Sequence, residues 1–141
     1  VFAKLCPTVT NIRDMAQAAQ DGGAEGIVIP GTRFGTDIDL ITKKPVFSCD
    51  CRYDSYELKP VVMRDVFEAF DAVGLIIVSC GGVNCAEDAL KMIAAGASLV
   101  QIDEAVMLDP SVLGRISARL PEVMEKYGIE KIKDFVGAAH R

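Results

Sequence analysis

Five cysteines are the most reactive side chains this sequence offers. Cys6, Cys80 and Cys85 follow apolar runs, and Cys49 and Cys51 lie in a polar stretch between two such runs. Thiolates converging on one rim bind zinc or an iron–sulfur cluster. The Cys-x-Cys and Cys-x4-Cys spacings match no strong metal signature, and free cysteine is also a common buried residue. One reading is therefore a Cys-rich metal or iron–sulfur subunit; the plainer one, with no metal site, is a set of inert thiols. Their odd number argues against a disulfide framework and favours a reducing cytoplasm.

Lys4 ends an apolar run, where a lysine needs a partner. Asp103 and Glu104, after the last apolar run, are the candidates for an ion pair across strand ends. His140 is the single histidine and stands next to the C-terminus, so it reads as a solvated tail residue. With no internal histidine, Ser-His-Asp and Cys-His mechanisms have no support. Asp37, Asp39, Asp50 and Asp54 lack calcium-loop spacing and read as a solvated surface.

These residues hang on a regular alternation. Val1–Leu5 reads as a buried strand stopped by Cys6-Pro7, and Thr8–Thr10 offers N-cap hydroxyls to a helix carrying Ile12, Met15, Ala16 and Ala19. Gly22-Gly23 ends that helix, and Gly26–Ile29 is the next strand. A hairpin insertion over about 36–48 follows, with Thr42-Lys43-Lys44 as its turn. Cys49–Glu57 reads as an irregular exposed loop. Pro60 suits the first turn of a helix with Val62, Val66, Phe67 and Phe70 on its apolar face. Leu75–Val78 is the third strand, ending at Cys80-Gly81-Gly82. Asn84 with Glu87 resembles a capping box, and Gly96 stands where a C-cap glycine belongs. Ser98–Ile102 is the fourth strand. A helix opened by Asp109-Pro110 is expected to break at Pro121, a short helix follows to Tyr127-Gly128, and Lys131–Ala138 closes the chain. Four β/α units predict an α/β fold with a parallel sheet, either half of an eight-fold barrel or a doubly wound open sheet.

The chain has 141 residues, enough for one domain, with half of them hydrophobic and a net charge of −5. No run approaches a membrane span, and no basic-then-apolar start reads as a signal peptide. No stretch mixes Lys and Arg with aromatics, so neither nucleic acid nor a membrane is an expected partner. The start at Val1 is compatible with processing or with a fragment of a longer protein.

Particular segments decide between the two sheet architectures. Ala3-Lys4-Leu5-Cys6-Pro7-Thr8-Val9-Thr10-Asn11-Ile12 is similar to the strand-five segment of dihydroorotate dehydrogenases. Asp39-Leu40-Ile41-Thr42-Lys43-Lys44-Pro45-Val46 resembles the hairpin of the heterotetrameric type and of dihydropyrimidine dehydrogenases. Leu58-Lys59-Pro60, Gly81-Gly82-Val83, Glu87-Asp88-Ala89-Leu90, Ala95-Gly96-Ala97-Ser98 and Lys126-Tyr127-Gly128-Ile129 resemble later family segments in order. The resemblance covers nearly the whole chain. It implies the C-terminal half of a (β/α)8 TIM-type barrel, one half-barrel domain over 1–141, from an FMN-dependent oxidoreductase acting on a CH–CH bond of a small-molecule substrate. It makes Lys4 the strand-five lysine at the flavin, the catalytic and cofactor-binding candidate, and Gly81 and Gly82 the phosphate-binding glycines after strand seven.

Several family positions are replaced here. The substrate-reading asparagine falls on Gly31, and a Gly-Gly-Leu-Ser-Gly loop falls on Cys51-Arg52-Tyr53-Asp54-Ser55. The glycine before the strand-seven pair falls on Ser79, and the Gly-Thr after strand eight falls on Asp103-Glu104. Carboxylates beside a phosphate cost about 1–4 kcal/mol per pair, so these replacements oppose FMN in its usual pose. Three expectations follow: an incomplete or degenerate FMN oxidoreductase, a non-catalytic scaffold or regulatory module, or the metal-binding subunit above. A half barrel leaves two sheet edges and an inner apolar face uncovered, so a homodimer or an N-terminal barrel half is the expected partner.

Overall fold

The computed structural model describes residues 1–47 and 51–141. Strand β1 (Phe2–Lys4) leads into helix α1 (Ile12–Asp21), and β2 (Gly26–Pro30) completes the first crossover. Four two-residue strands follow: β3 (Arg33–Phe34), β4 (Ile38–Asp39), β5 (Lys44–Pro45) and β6 (Arg52–Tyr53). A 3-10 turn at Tyr56–Leu58 runs into α2 (Lys59–Ala72). Then come β7 (Ile76–Cys80), α3 (Ala86–Ala94) and β8 (Leu99–Gln101). Helices α4 (Glu104–Leu108), α5 (Val112–Lys126) and α6 (Ile132–Phe135) and a last 3-10 turn at Ala138–His140 complete the described chain.

The main sheet is parallel throughout, in the order β1-β2-β7-β8. Helices flank it, as in half of a (β/α)8 barrel. Side chains alternate across each strand. Ile27, Ile29 and Ile77 are fully buried and join Val62, Val66, Ala69 and Met92 in the core. Phe2, Ile76 and Leu99 belong to the other set and are 46%, 45% and 57% exposed. The sheet thus has one covered face and one bare apolar face.

The hairpin forms between β4 and β5. Asp39 builds its turn, its Oδ1 accepting the N–H groups of Ile41 and Thr42 at 2.7 and 3.1 Å. Ser48, the hairpin's expected last residue, lies outside the described residues.

Five local expectations are corrected. Asn11, not a threonine, caps α1: its Oδ1 accepts the Arg13 N–H at 3.0 Å, because Asn11 is the residue standing at the N-cap. The 49–57 stretch is not irregular where it is described. Arg52–Tyr53 pairs antiparallel with Arg33–Phe34, and Ser55 is buried. The Asn84–Glu87 capping box is absent. Cys85 holds the N-cap position, and Asp88 instead reaches back to the Asn84 N–H at 3.3 Å. Pro121 lies inside an unbroken α5 on an exposed face, where solvent can satisfy the carbonyl that loses its donor. The closing helix is shorter than Lys131–Ala138, since Gly137 turns the backbone to φ 69°.

Candidate functional site

Parallel register sets the site. Pro30 lies opposite Cys80, and Cys80 opposite Gln101. The residues just beyond these strand ends, Gly31, Gly81-Gly82 and Asp103-Glu104, therefore share one rim, and Lys4 ends β1 on the same side. Gly81 and Gly82 adopt φ of 100° and 70°, conformations that favour glycine.

The glycines do not enclose a free cradle. A Cβ on Gly31 would lie 3.2 Å from Asp54 Oδ1, and one on Gly81 would lie 3.3 Å from the same atom. A Cβ on Gly82 would stand 2.7 Å from Lys59 Cα. The Gly81 N–H already donates to the Gln101 carbonyl at 3.4 Å. The chain's own Asp54 carboxyl and the start of α2 fill the space beside these glycines.

Asp54 comes from the segment after β6, and the Thr32 hydroxyl donates to its Oδ2 at 3.3 Å. Its Oδ1 is buried with no hydrogen-bond partner among the described residues. Burial first, and then the nearby Asp103, push Asp54 above the usual carboxylate range. One proton shared with Asp103 would satisfy the stranded oxygen. The Cys80 thiol donates to Asp103 Oδ2 at 3.1 Å, and burial followed by Asp103 pushes Cys80 up to about 12. Glu104 is raised as well, by burial and then by Asp54 and Glu57. At Asp54 and Glu104, burial and neighbouring acids thus disfavour the charged form.

The other side of the Gly81-Gly82 turn is matched. Asp88, on α3, accepts from Lys59 Nζ at 2.8 Å and from the Asn84 N–H at 3.3 Å, with its side chain only 2% exposed. Burial works against its charge, but Lys59, Cys85 and the Asn84 N–H outweigh it and hold Asp88 below the usual range. Lys59 Nζ also meets the Tyr56 hydroxyl at 2.6 Å.

Towards β1 the rim opens into a cavity of about 270 Å³ bordered by Lys4, Cys6, Thr8, Arg33, Phe34 and Arg52. Arg33 is tied to Asp65 at 2.5 Å and to the carbonyls of Pro30, Gly31 and Thr32. Lys4 and Arg52 make no ion pair among the described residues, so the expected contact of Lys4 with Asp103 or Glu104 does not form.

The sequence of residues 1–124 matches the family described as dihydroorotate dehydrogenase. This chain belongs to the dihydroorotate dehydrogenase family. It is 39% identical over 135 residues to the dihydroorotate dehydrogenase A (fumarate) of Limosilactobacillus reuteri, covering 95% of this chain and 44% of that protein. It is 37% identical over 138 residues to the catalytic subunit of the dihydroorotate dehydrogenase B (NAD(+)) of Geobacillus sp., covering 97% of this chain and 44% of that subunit. The crystal structure of Eimeria tenella DHODH in complex with ferulenol superimposes with a TM-score of 0.81 at 24% identity, over 99% of this chain and 38% of that one. That likeness shows the fold. The chain spans less than half the length of the dihydroorotate dehydrogenases it matches.

The rim residues do not fit the phosphate of the FMN that the family resemblance implies. Asp54, Asp103 and Glu104 line the ends where it would sit, and Asp54 already lies against Gly31 and Gly81. Lys4 ends β1, and Gly81 and Gly82 follow β7, on the same side of the sheet. The inward turn of Asp54 corrects its reading as a solvated surface residue. Nothing in its spacing signalled that turn; only its place in the family's glycine loop pointed to it. Arg33–Asp65 and Lys59–Asp88 were not legible either, since each joins residues far apart in sequence.

Among the described residues no three His, Cys, Asp or Glu side chains gather as a metal-ligand set, and Cys49 and Asp50 lie outside them. His140 is not a solvated tail. Its ring stacks on Phe67 with centroids 3.7 Å apart, and Nε2 lies 3.1 Å from the Ala95 carbonyl oxygen, because the Gly137 turn folds the terminus back. No helix is long and apolar enough to cross a membrane among the described residues.

Proposed function

We propose that this chain is a dihydroorotate dehydrogenase-family barrel half whose flavin-phosphate site is closed, and that it serves as a scaffold or regulatory partner of a second barrel half. The observation that carries this reading is the Asp54 carboxyl against Gly31 and Gly81, with Asp103 beside it. A phosphate entering there would have to displace the Asp54 carboxyl from its place against Gly31 and Gly81. The bare apolar row of Phe2, Ile76 and Leu99 supports a covering partner, either the N-terminal half of the same barrel or a second copy. The cytoplasm is its proposed compartment, on the strength of its free cysteines.

The second reading is a working FMN-dependent CH–CH oxidoreductase half, in which Lys4 touches the flavin and Gly81 and Gly82 hold its phosphate. Family membership and the open cavity beside Lys4 favour it. Flavin fluorescence titration of the protein separates the two. The closed-site reading expects no saturable quenching by FMN, and restored binding when Asp54→Gly, Asp103→Gly and Glu104→Thr are combined. Tight binding of FMN by the unaltered protein, with riboflavin binding much more weakly, would sink it.

A further inference from the structure

The helix layer carries an opening of its own. Glu87, Leu90, Lys91 and Ala94 recur three or four residues apart on α3 and so share one face of that helix. Together with Tyr127 at the end of α5, Ile129 just after it and Phe135 on α6, they border a cavity of about 180 Å³. It shares no lining residue with the rim cavity beside Lys4.

Its far wall is set by the way α5 ends. The Tyr127 and Gly128 N–H groups donate to the Val123 and Glu125 carbonyls at 3.2 and 3.1 Å, and Gly128 turns the backbone to φ 66°. That turn brings Ile129 back, with its N–H on the Met124 carbonyl at 2.8 Å. Leu90 and Ile129 are buried and Phe135 is half-buried, while Tyr127 keeps 60% of its surface exposed. Lys126 Nζ stands 5.2 Å from the Tyr127 ring centroid. Two charged residues border the cavity. Glu87 is already answered: its own N–H first, and then Cys85, Arg119 and Lys126, hold it below the usual carboxylate range. Lys91 is exposed and makes no ion pair among the described residues.

We propose that this groove between α3 and the α5–α6 turn binds a small aryl carboxylate, its single ring among Leu90, Tyr127 and Phe135 and its carboxylate on Lys91. Three observations select that class. The volume suits one ring, since an apolar cavity of about 150 Å³ takes up benzene. Two aromatic side chains in the lining favour a ring over an aliphatic chain. The one uncompensated charge is an ammonium, which calls for a single anionic group. An apolar pocket with one placed polar contact is the usual build of a small-molecule site. The inference uses no rim residue, so it holds under either reading of the flavin site.

The test is titration of the full protein with phenylacetate, read by calorimetry and by backbone amide shifts. Acetate supplies the charge without the ring, and benzyl alcohol the ring without the charge, both at matched ionic strength. Saturable binding of phenylacetate is expected, with shifts centred on Leu90, Lys91, Tyr127, Ile129 and Phe135, and with weaker binding of both reference compounds. Ala94→Leu fills the cavity and should abolish saturation. Lys91→Gln should weaken phenylacetate roughly three- to fivefold, as loss of one exposed ion pair implies, and leave benzyl alcohol unchanged. Arg13→Gln on α1 should change nothing. Phenylacetate shifts no larger than those of acetate, benzyl alcohol binding as tightly as phenylacetate, or affinity insensitive to both Ala94→Leu and Lys91→Gln in variants that keep native amide dispersion, would each overturn the proposal.

Discussion

Two carboxyl groups flank the Gly81-Gly82 turn, Asp88 buried and Asp54 half-buried, and they live in opposite environments. Asp88 meets the ammonium of Lys59 and the Asn84 N–H, and its charge is stabilised despite burial. Asp54 meets a hydroxyl and another acid, leaves one oxygen without a partner, and is driven towards its neutral form. Burial alone therefore does not decide the state of an acid; the number and sign of its partners do. The Asp88 side ties α2 to α3 and steadies the turn. The Asp54 side spends stability to hold acids where the family pattern has glycine, serine and threonine.

The largest expected effect tests the matched side. Asp88→Asn leaves the Lys59 ammonium without its counter-charge, and a loss of about 3–5 kcal/mol is expected in urea denaturation. Asp88 is depressed in the folded state, so its contribution is fully present above the unfolded carboxylate range. It is lost as pH falls through the still lower folded value. A loss below 1 kcal/mol, roughly the worth of an exposed pair, would remove the contrast.

Next is the turn between the two acids. Gly82→Ala puts a methyl 2.7 Å from Lys59 Cα at a φ of 70°, and about 2–3 kcal/mol of destabilisation is expected from strain and overpacking. Thermal unfolding reads it directly, and a neutral result would mean that α2 moves aside freely.

Asp54→Asn should act in the opposite direction. Its amide can donate to Asp103 with no proton shared between acids, so a gain of about 1 kcal/mol is expected at neutral pH. The raised acid is most favourable to folding while protonated. Its contribution falls as pH rises from the unfolded carboxylate value through the higher folded one. The advantage of Asp54→Asn should consequently shrink towards acid pH, and denaturation midpoints at two pH values check the sign.

The smallest effect is a ranking of thiols. Cys6 is exposed, whereas Cys80 is buried, donates to Asp103 and is pushed up to about 12 by burial and that acid. Alkylation followed by peptide mass spectrometry should modify Cys6 first and leave Cys80 intact in the folded protein. Asp103→Asn should bring forward the modification of Cys80. Equal rates would mean that this end of the rim opens to solvent.

Much of this protein is determined locally and can be read from its residues in order. The alternation of apolar runs with helical spacings, the glycines at strand ends and the Pro60 helix start place four parallel strands with their helices, because short-range periodicity decides which face of each element is buried. The same order places Lys4, Gly81 and Gly82 on one rim, since parallel strands all end on the same side. Other features only the tertiary structure decided. Pro121 passes through a helix because its face is exposed, and His140 packs on Phe67 because Gly137 turns the chain back. Asp54 reaches Gly31 and Gly81 because β6 pairs with β3, across seventeen intervening residues that carry no mark of it. The ionisation of an acid depends on neighbours in space, and those neighbours come from different β/α units.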